Sequence, residues 1–178
     1  MTFEVDCPPV GSLDIRPFVR EAVEALAYFK PEQSDALALL IVKMWREKSA
    51  TMLLYGSAVG EDMTPSEKVA CGLGKGRMPR SLWRILSDKG RLDPSHAAKA
   101  TTLRITFNVM RWISIQAEKI EATFSSKIEF RGLSNSSCAA SRELMNTIIP
   151  RNERYPLPVP GCTAEWCSCR WDLVFENY

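Results

Sequence analysis

Hydrophobic residues recur at helical spacing through most of the first 125 positions. An amphipathic helix is predicted over residues 14–30, with Asp14 as its cap. A second helix is predicted over residues 32–55, and a longer one over residues 95–124 has apolar residues on more than one face. We therefore expect a helical bundle, preceded by an extended, proline-containing arm.

Two shorter helices are predicted between these elements. Thr64-Pro65-Ser66-Glu67 has the spacing of a capping box and starts the first, which a glycine-rich run then ends. The second begins near Pro79 and stops at Asp88-Lys89-Gly90. Two short helices joined by a glycine-containing turn resemble a helix-turn-helix over residues 67–90, with Arg80 and Arg84 facing outward. Such hairpins also occur inside purely structural bundles, so both interpretations stay open.

The pattern changes near residue 126, where we place a domain boundary. Residues 127–131 alternate like a strand, and residues 138–149 predict a short helix. Four prolines make residues 150–161 extended, and residues 170–175 predict a final strand that pairs with the first. The predicted fold class is therefore mainly α, with a helical bundle in residues 1–125 and a small α+β, metal-stabilised appendix in residues 126–178.

Four cysteines in the appendix have the pattern C-x23-C-x4-C-x-C. Four thiols, three of them close together in sequence, suit the tetrahedral coordination of one structural zinc ion. A turn at Pro160-Gly161 directs the third thiol inward, and a small appendix with little core gains stability from a metal. Free buried thiols and redox or disulfide chemistry remain as alternatives. The candidate metal ligands are Cys138, Cys162, Cys167 and Cys169.

Residues 128–171 resemble a family of small uncharacterised bacterial proteins. The resemblance rests on Cys138-Ala139-Ala140, on Leu157-Pro158-Val159-Pro160-Gly161-Cys162, and on the closing Cys167, Cys169, Arg170 and Trp171. Members of that family carry a strand, an early Cys followed by Ala, a Leu-Pro-Leu-Pro-Gly-Cys motif and a C-x4-C-x-C-Arg-aromatic ending. The sequence departs from them in the helical part and in their downstream Asp/Arg-rich tail. The resemblance implies a shared cysteine module.

The middle of the chain is basic, although the net charge is only +2. Residues 65–125 carry eleven basic and five acidic side chains, a balance of +6, and the excess is concentrated between positions 75 and 91. Such a segment is typical of a surface that contacts DNA or RNA phosphates, and a solvated face of the bundle is the alternative. The candidate nucleic-acid-binding residues are Lys75, Arg77, Arg80, Arg84, Lys89 and Arg91.

Other classes of function have little support in the sequence. No apolar run reaches the roughly 20 residues that span a bilayer, and the N-terminus lacks the pattern of a signal peptide. We therefore expect a cytoplasmic protein, in which clustered cysteines more often bind metal than form disulfides. His96 is the single histidine, and Gly72 to Arg77 lacks the spacing of a nucleotide-binding loop.

These observations predict a non-enzymatic, zinc-stabilised binding protein of bacterial or phage type. Its basic segment, residues 75–91, is expected to contact nucleic acid or a nucleoprotein partner. The alternative is a structural or protein-interaction subunit without nucleic-acid contact, and a thiol-dependent enzyme is a third class. The sequence indicates neither a small-molecule substrate nor a membrane partner.

Overall fold

The computed structural model describes residues 13–47, 53, 59–120, 127–132 and 138–174. Within this part, the chain is mainly helical with a small antiparallel sheet, as the sequence predicts. The predicted N-terminal arm lies outside the described residues. The helices are α1 Arg16–Leu26, α2 Ser34–Arg46, α3 Pro65–Ala70, α4 Arg80–Ile85, α5 Asp88–Leu92, α6 Pro94–Ile120 and α7 Ala139–Arg142, and the strands are β1 Lys127–Arg131, β2 Ile148–Pro150 and β3 Arg170–Leu173.

The chain divides into two compact units, residues 1–106 and residues 107–178. The division falls inside α6, whereas the sequence places its boundary near residue 126. The C-terminal half of α6 therefore belongs to the same unit as the four clustered cysteines.

The core of the first unit is built around α1 and α2. Helix α1 ends where Ala27 adopts a left-handed conformation (φ 56°), and its N–H donates to the Val23 carbonyl. A 3₁₀ turn at Pro31–Gln33 then leads into α2. Four large apolar residues on the inner face of α2 are buried, and Leu40 is half-buried. The four are Leu37, Ile41, Met44 and Trp45.

The sequence predicts that the helix beginning near Pro79 stops at residues 88–90, and a further short helix, α5, lies there. Ser87 caps it, since its hydroxyl accepts a hydrogen bond from the Gly90 N–H at 3.1 Å. The same hydroxyl donates to the Ala27 carbonyl, and the Ser87 N–H donates to the Tyr28 carbonyl. The helix that begins near Pro79 does end before these residues, at Ile85, but the sequence does not indicate α5, whose Gly90 lies close to the backbone of Tyr28.

The capping box of α3 is present, and it extends into an ion pair with α4. The Thr64 hydroxyl accepts from the Glu67 N–H, and the Thr64 N–H donates to Glu67 Oε2 at 2.7 Å. Arg80 donates to both oxygens of that carboxylate, at 3.0 and 2.9 Å. The contacts of Arg80 and then of Thr64 lower the pKa of Glu67 to about 2. Arg80 therefore joins α4 to α3 and does not face outward as predicted.

The connection between α3 and α4, residues 71–79, is longer than the three- or four-residue turn of a helix-turn-helix. Residues 61–63, which precede α3, pair directly with residues 78–80, which lead into α4. The Met63 N–H donates to the Met78 carbonyl and the Arg80 N–H to the Glu61 carbonyl, both at 2.9 Å. Trp83 is half-buried, whereas three other apolar residues of α4 and its C-cap are buried. They are Leu82, Ile85 and Leu86.

The second unit contains a three-stranded antiparallel sheet in the order β2-β1-β3. The predicted pairing of the first strand with the last is confirmed, with Phe130 opposite Trp171. Their rings meet edge to face with centroids 5.0 Å apart, and both side chains are buried. The Trp171 indole N–H donates to the Tyr155 carbonyl at 3.1 Å. This pair forms the centre of the core against which the cysteines pack.

Helix α7 is much shorter than the predicted helix over residues 138–149. Asn146 has a left-handed backbone (φ 63°), which an α-helix does not continue through. The β-branched Thr147, Ile148 and Ile149 then favour an extended chain, and Ile149 pairs with Ile128 of β1. The predicted helix is therefore replaced by one helical turn and a strand.

Candidate metal centre and basic segment

Local turns position each cysteine of the second unit. Cys138 is the extended residue at the N-cap of α7. Cys162 follows the predicted turn at Pro160-Gly161, in which Gly161 has a φ of 78° and the Cys162 N–H donates to the Val159 carbonyl at 3.0 Å. Cys167 and Cys169 directly precede β3 and are buried.

The four thiols form two hydrogen-bonded pairs. Cys162 donates to the sulfur of Cys138, and Cys167 donates to the sulfur of Cys169. Ser141 lies between the pairs, since its hydroxyl donates to the Cys138 carbonyl at 2.9 Å, accepts from the Cys138 thiol at 3.5 Å and also interacts with Cys169. Its side chain is fully buried. All four cysteines that the sequence predicts as ligands therefore come together, around a serine that the sequence does not single out.

Backbone N–H groups are directed at three of the four sulfurs. The Ala164 N–H points to the sulfur of Cys162, and the Cys169 N–H points to the sulfur of Cys167. The Thr163 N–H points to the sulfur of Cys138, while the Ser141 N–H donates to the Cys138 carbonyl at 3.1 Å. Each of the bonds to a sulfur stabilises a thiolate, which is the form of cysteine that binds metals.

The pKa values within each pair move in opposite directions. Burial is the largest cause that raises the pKa of Cys162 to about 11, while its donated bond helps to lower the pKa of Cys138 in spite of that residue's burial. The bond that Cys167 donates raises its own pKa, together with burial, and lowers the pKa of Cys169 to about 7. Within each pair, one thiol is therefore the more acidic, namely Cys138 in the first pair and Cys169 in the second.

Arg111 of α6 is a second residue at this site that sequence analysis missed. Its Nε donates to the Cys169 carbonyl at 3.1 Å, and its Nη2 donates to the Cys167 carbonyl at 3.0 Å. The hydrogen bond to Cys169 and burial raise the pKa of Cys167, and the charge of the guanidinium offsets a small part of that rise. No local pattern could have indicated it, because the contacts join residues 58 and 56 positions apart.

The paired arrangement differs from a closed metal centre. Within the described residues, no group of three or more His, Cys, Asp or Glu side chains is placed so that it could hold a metal ion as it stands. The sulfurs lie as two neighbouring pairs, with hydrogen bonds running between them through Ser141. Metal binding here would require the two pairs to close on the ion and release their thiol protons.

Three residues of the predicted nucleic-acid surface contact another helix of the first unit. Besides Arg80, Lys89 donates to the Leu26 carbonyl at 2.7 Å, at the C-terminal end of α1. The guanidinium of Arg91 lies 5.1 Å from the centre of the Trp83 ring. These side chains stabilise the first unit, so much of the local basic excess has a structural use.

The other three residues of that surface are exposed. Lys75 and Arg77 lie in the glycine-rich connection, and Arg84 lies in the last turn of α4. Arg77 donates to the Gly60 carbonyl at 3.2 Å. Among the described residues, no carboxylate forms an ion pair with Lys75 or Arg84.

Comparisons with protein-family models, curated proteins and solved structures found no match to this chain. The resemblance of residues 128–171 to a bacterial family therefore stays a prediction. In the part of the chain that the structure describes, no helix has the length and apolar character to cross a membrane.

Proposed function

We propose that the second unit, residues 107–178, binds one zinc ion through Cys138, Cys162, Cys167 and Cys169. The observation that carries this proposal is that four thiols from three separate turns converge, with backbone N–H groups directed at three of their sulfurs. A cysteine in a disulfide, or a buried thiol in a core, does not need N–H groups directed at its sulfur, whereas a thiolate is stabilised by them.

The donor set favours zinc in a structural role. Four sulfur donors suit tetrahedral zinc, and a set of four protein ligands leaves no position for a catalytic water. The unit has a small core, formed by one three-stranded sheet and the residues packed on it. A metal that joins residues 138, 162, 167 and 169 would add cross-links where burial alone is limited. This supports a binding protein rather than an enzyme.

Elemental analysis of protein purified without added metal tests the proposal. We expect about one zinc per chain and native-state thiols that a thiol reagent reaches only after chelation. A zinc content near zero, with the four thiols titratable in the folded protein, would exclude the site. Cadmium or cobalt uptake at the same stoichiometry provides an independent measurement of the same ligands.

We further propose that Lys75, Arg77 and Arg84 contact nucleic-acid phosphates. The supporting observation is that they are exposed and that Lys75 and Arg84 have no carboxylate partner among the described residues. Exposed cations without a local counter-charge are the residues that phosphates attract most readily. The competing function is a protein-interaction subunit, in which the same residues meet an acidic protein surface.

Salt-dependent binding to fluorescent DNA and RNA oligonucleotides separates these two functions. The double change Lys75→Gln with Arg84→Gln should weaken binding at low salt and lower the salt slope by about two. Arg16→Gln with Arg20→Gln is the matched control, since these exposed residues pair with Asp14 and Asp35. Absence of salt-sensitive binding by the wild type, or equal effects of the two double changes, would favour the protein-interaction subunit.

A further inference from the structure

The guanidinium of Arg111 makes three directed hydrogen bonds. Two go to the carbonyls of Cys167 and Cys169, and the third goes from Nη1 to Asn108 Oδ1 at 3.2 Å. Arg111 and Asn108 lie three residues apart on α6, so the amide lies beside the guanidinium on the helix surface. Asn108, on the same helix, therefore helps to hold the Arg111 side chain in the position from which it bonds the cysteine segment.

These contacts determine the backbone of the C-x-C segment. The two carbonyls lie on either side of Ser168, and a planar guanidinium can bond both only when they point the same way. These bonds hold the 167–168 and 169–170 peptides, which directly follow the two candidate ligands in the chain. Arg111 thus acts through the backbone on the geometry of two candidate ligands, without touching their sulfurs.

Charge provides a second reason for an arginine at this position. Four thiolates and one Zn²⁺ have a formal charge of −2, and burial of such a charge is costly without a nearby cation. Arg111 is half-buried, and its bonds to the Cys167 and Cys169 carbonyls place the guanidinium beside the segment that carries two of the thiols. A guanidinium keeps its charge in such a setting and is more weakly hydrated than an ammonium.

We propose that Arg111 is a positioning residue of the metal centre, which holds the Cys167–Cys169 segment in its ligating conformation and offsets the charge of the thiolates. This inference rests on the proposed zinc site. It extends that site to α6, a helix that supplies none of the four ligands, and it makes the second half of α6 part of the metal module.

Metal affinity of three variants tests the proposal. Arg111→Lys keeps the charge and loses the two-carbonyl contact, while Arg111→Gln loses both. Arg154→Gln is the control, because Arg154 is an exposed arginine that lines the same surface cleft as Arg111. Competition against a chromophoric chelator should show zinc affinity falling about ten-fold or more in both Arg111 variants, and more in the glutamine variant. The control should stay within about two-fold of the wild type.

The visible absorption bands of the cobalt-substituted proteins report on the geometry of the metal site, and a general loss of stability would not shift their position. The visible bands of tetrahedral thiolate-bound Co²⁺ should shift in position in the Arg111 variants and not in Arg154→Gln. If an Arg111 variant fails to fold, Asn108→Ala should give a smaller loss of affinity and a smaller shift. Wild-type affinity and bands in Arg111→Lys and Arg111→Gln would overturn the role of Arg111 and leave the zinc site intact, whereas a wild type that binds neither metal would overturn both.

Discussion

Replacement of Cys169 by serine is expected to abolish stoichiometric zinc binding and to open residues 127–174 to protease. Cys169 is buried, and its sulfur contacts Cys167 and Ser141. A serine hydroxyl fills nearly the same space but is a poor ligand for zinc at neutral pH. Structural zinc supplies on the order of 10 kcal/mol of folding free energy in small modules. We expect this to exceed the free energy of unfolding of the unit, so that loss of zinc unfolds it.

Limited proteolysis with mass spectrometry measures the result, with circular dichroism as a monitor of helix content. New cleavage sites should fall within residues 127–174, while the first unit keeps its helical signal. A chelator added to the wild type should produce the same sites, which separates loss of metal from loss of packing. Cys71→Ser is the matched control, since Cys71 is exposed. A Cys169→Ser protein that retains one zinc would contradict the predicted ligand set.

Elements specified by neighbouring residues could be predicted from the sequence. The capping box at Thr64 and Glu67 was identified because its hydrogen bonds join residues three apart. Strand β1 is predictable because its side chains alternate between core and surface, whereas in β3 only Trp171 is buried. The convergence of the four cysteines was expected from their number and spacing, and the hydrogen-bonded pairs agree with it. Zinc itself stays a prediction.

Features that depend on distant contacts could not be predicted. The sequence gives no reason to choose Arg111 over other arginines, because its partners are the backbone carbonyls of a distant segment. The sequence predicts that Arg80 faces solvent, but its guanidinium forms two hydrogen bonds with Glu67 on the preceding helix. The strand at residues 148–150 replaced a predicted helix because β1 provides a pairing partner there.

Gly90→Ala is expected to destabilise the first unit, although the same change inside an exposed helix usually stabilises it by about 1 kcal/mol. A Cβ at residue 90 would lie 2.1 Å from the Tyr28 carbonyl oxygen and 2.9 Å from a methyl group of Leu86. The first neighbour is backbone, so it cannot rotate away. Helix α5 would have to move from the chain at residues 26–28, to which it is joined through Ser87 and Lys89.

The expected cost is about 3 kcal/mol, the upper part of the range for an overpacked core, with loss of the hydrogen bonds that join α5 to the end of α1 adding to it. Chemical denaturation monitored by tryptophan fluorescence measures the change in the free energy of unfolding. Gly74→Ala is the matched control, since its Cβ would meet nothing within 4 Å and should change the stability by less than about 1 kcal/mol. If the two variants are equally stable, α5 does not pack against Tyr28 as described, and the turn that the sequence predicts at residues 88–90 would be the better account of this segment.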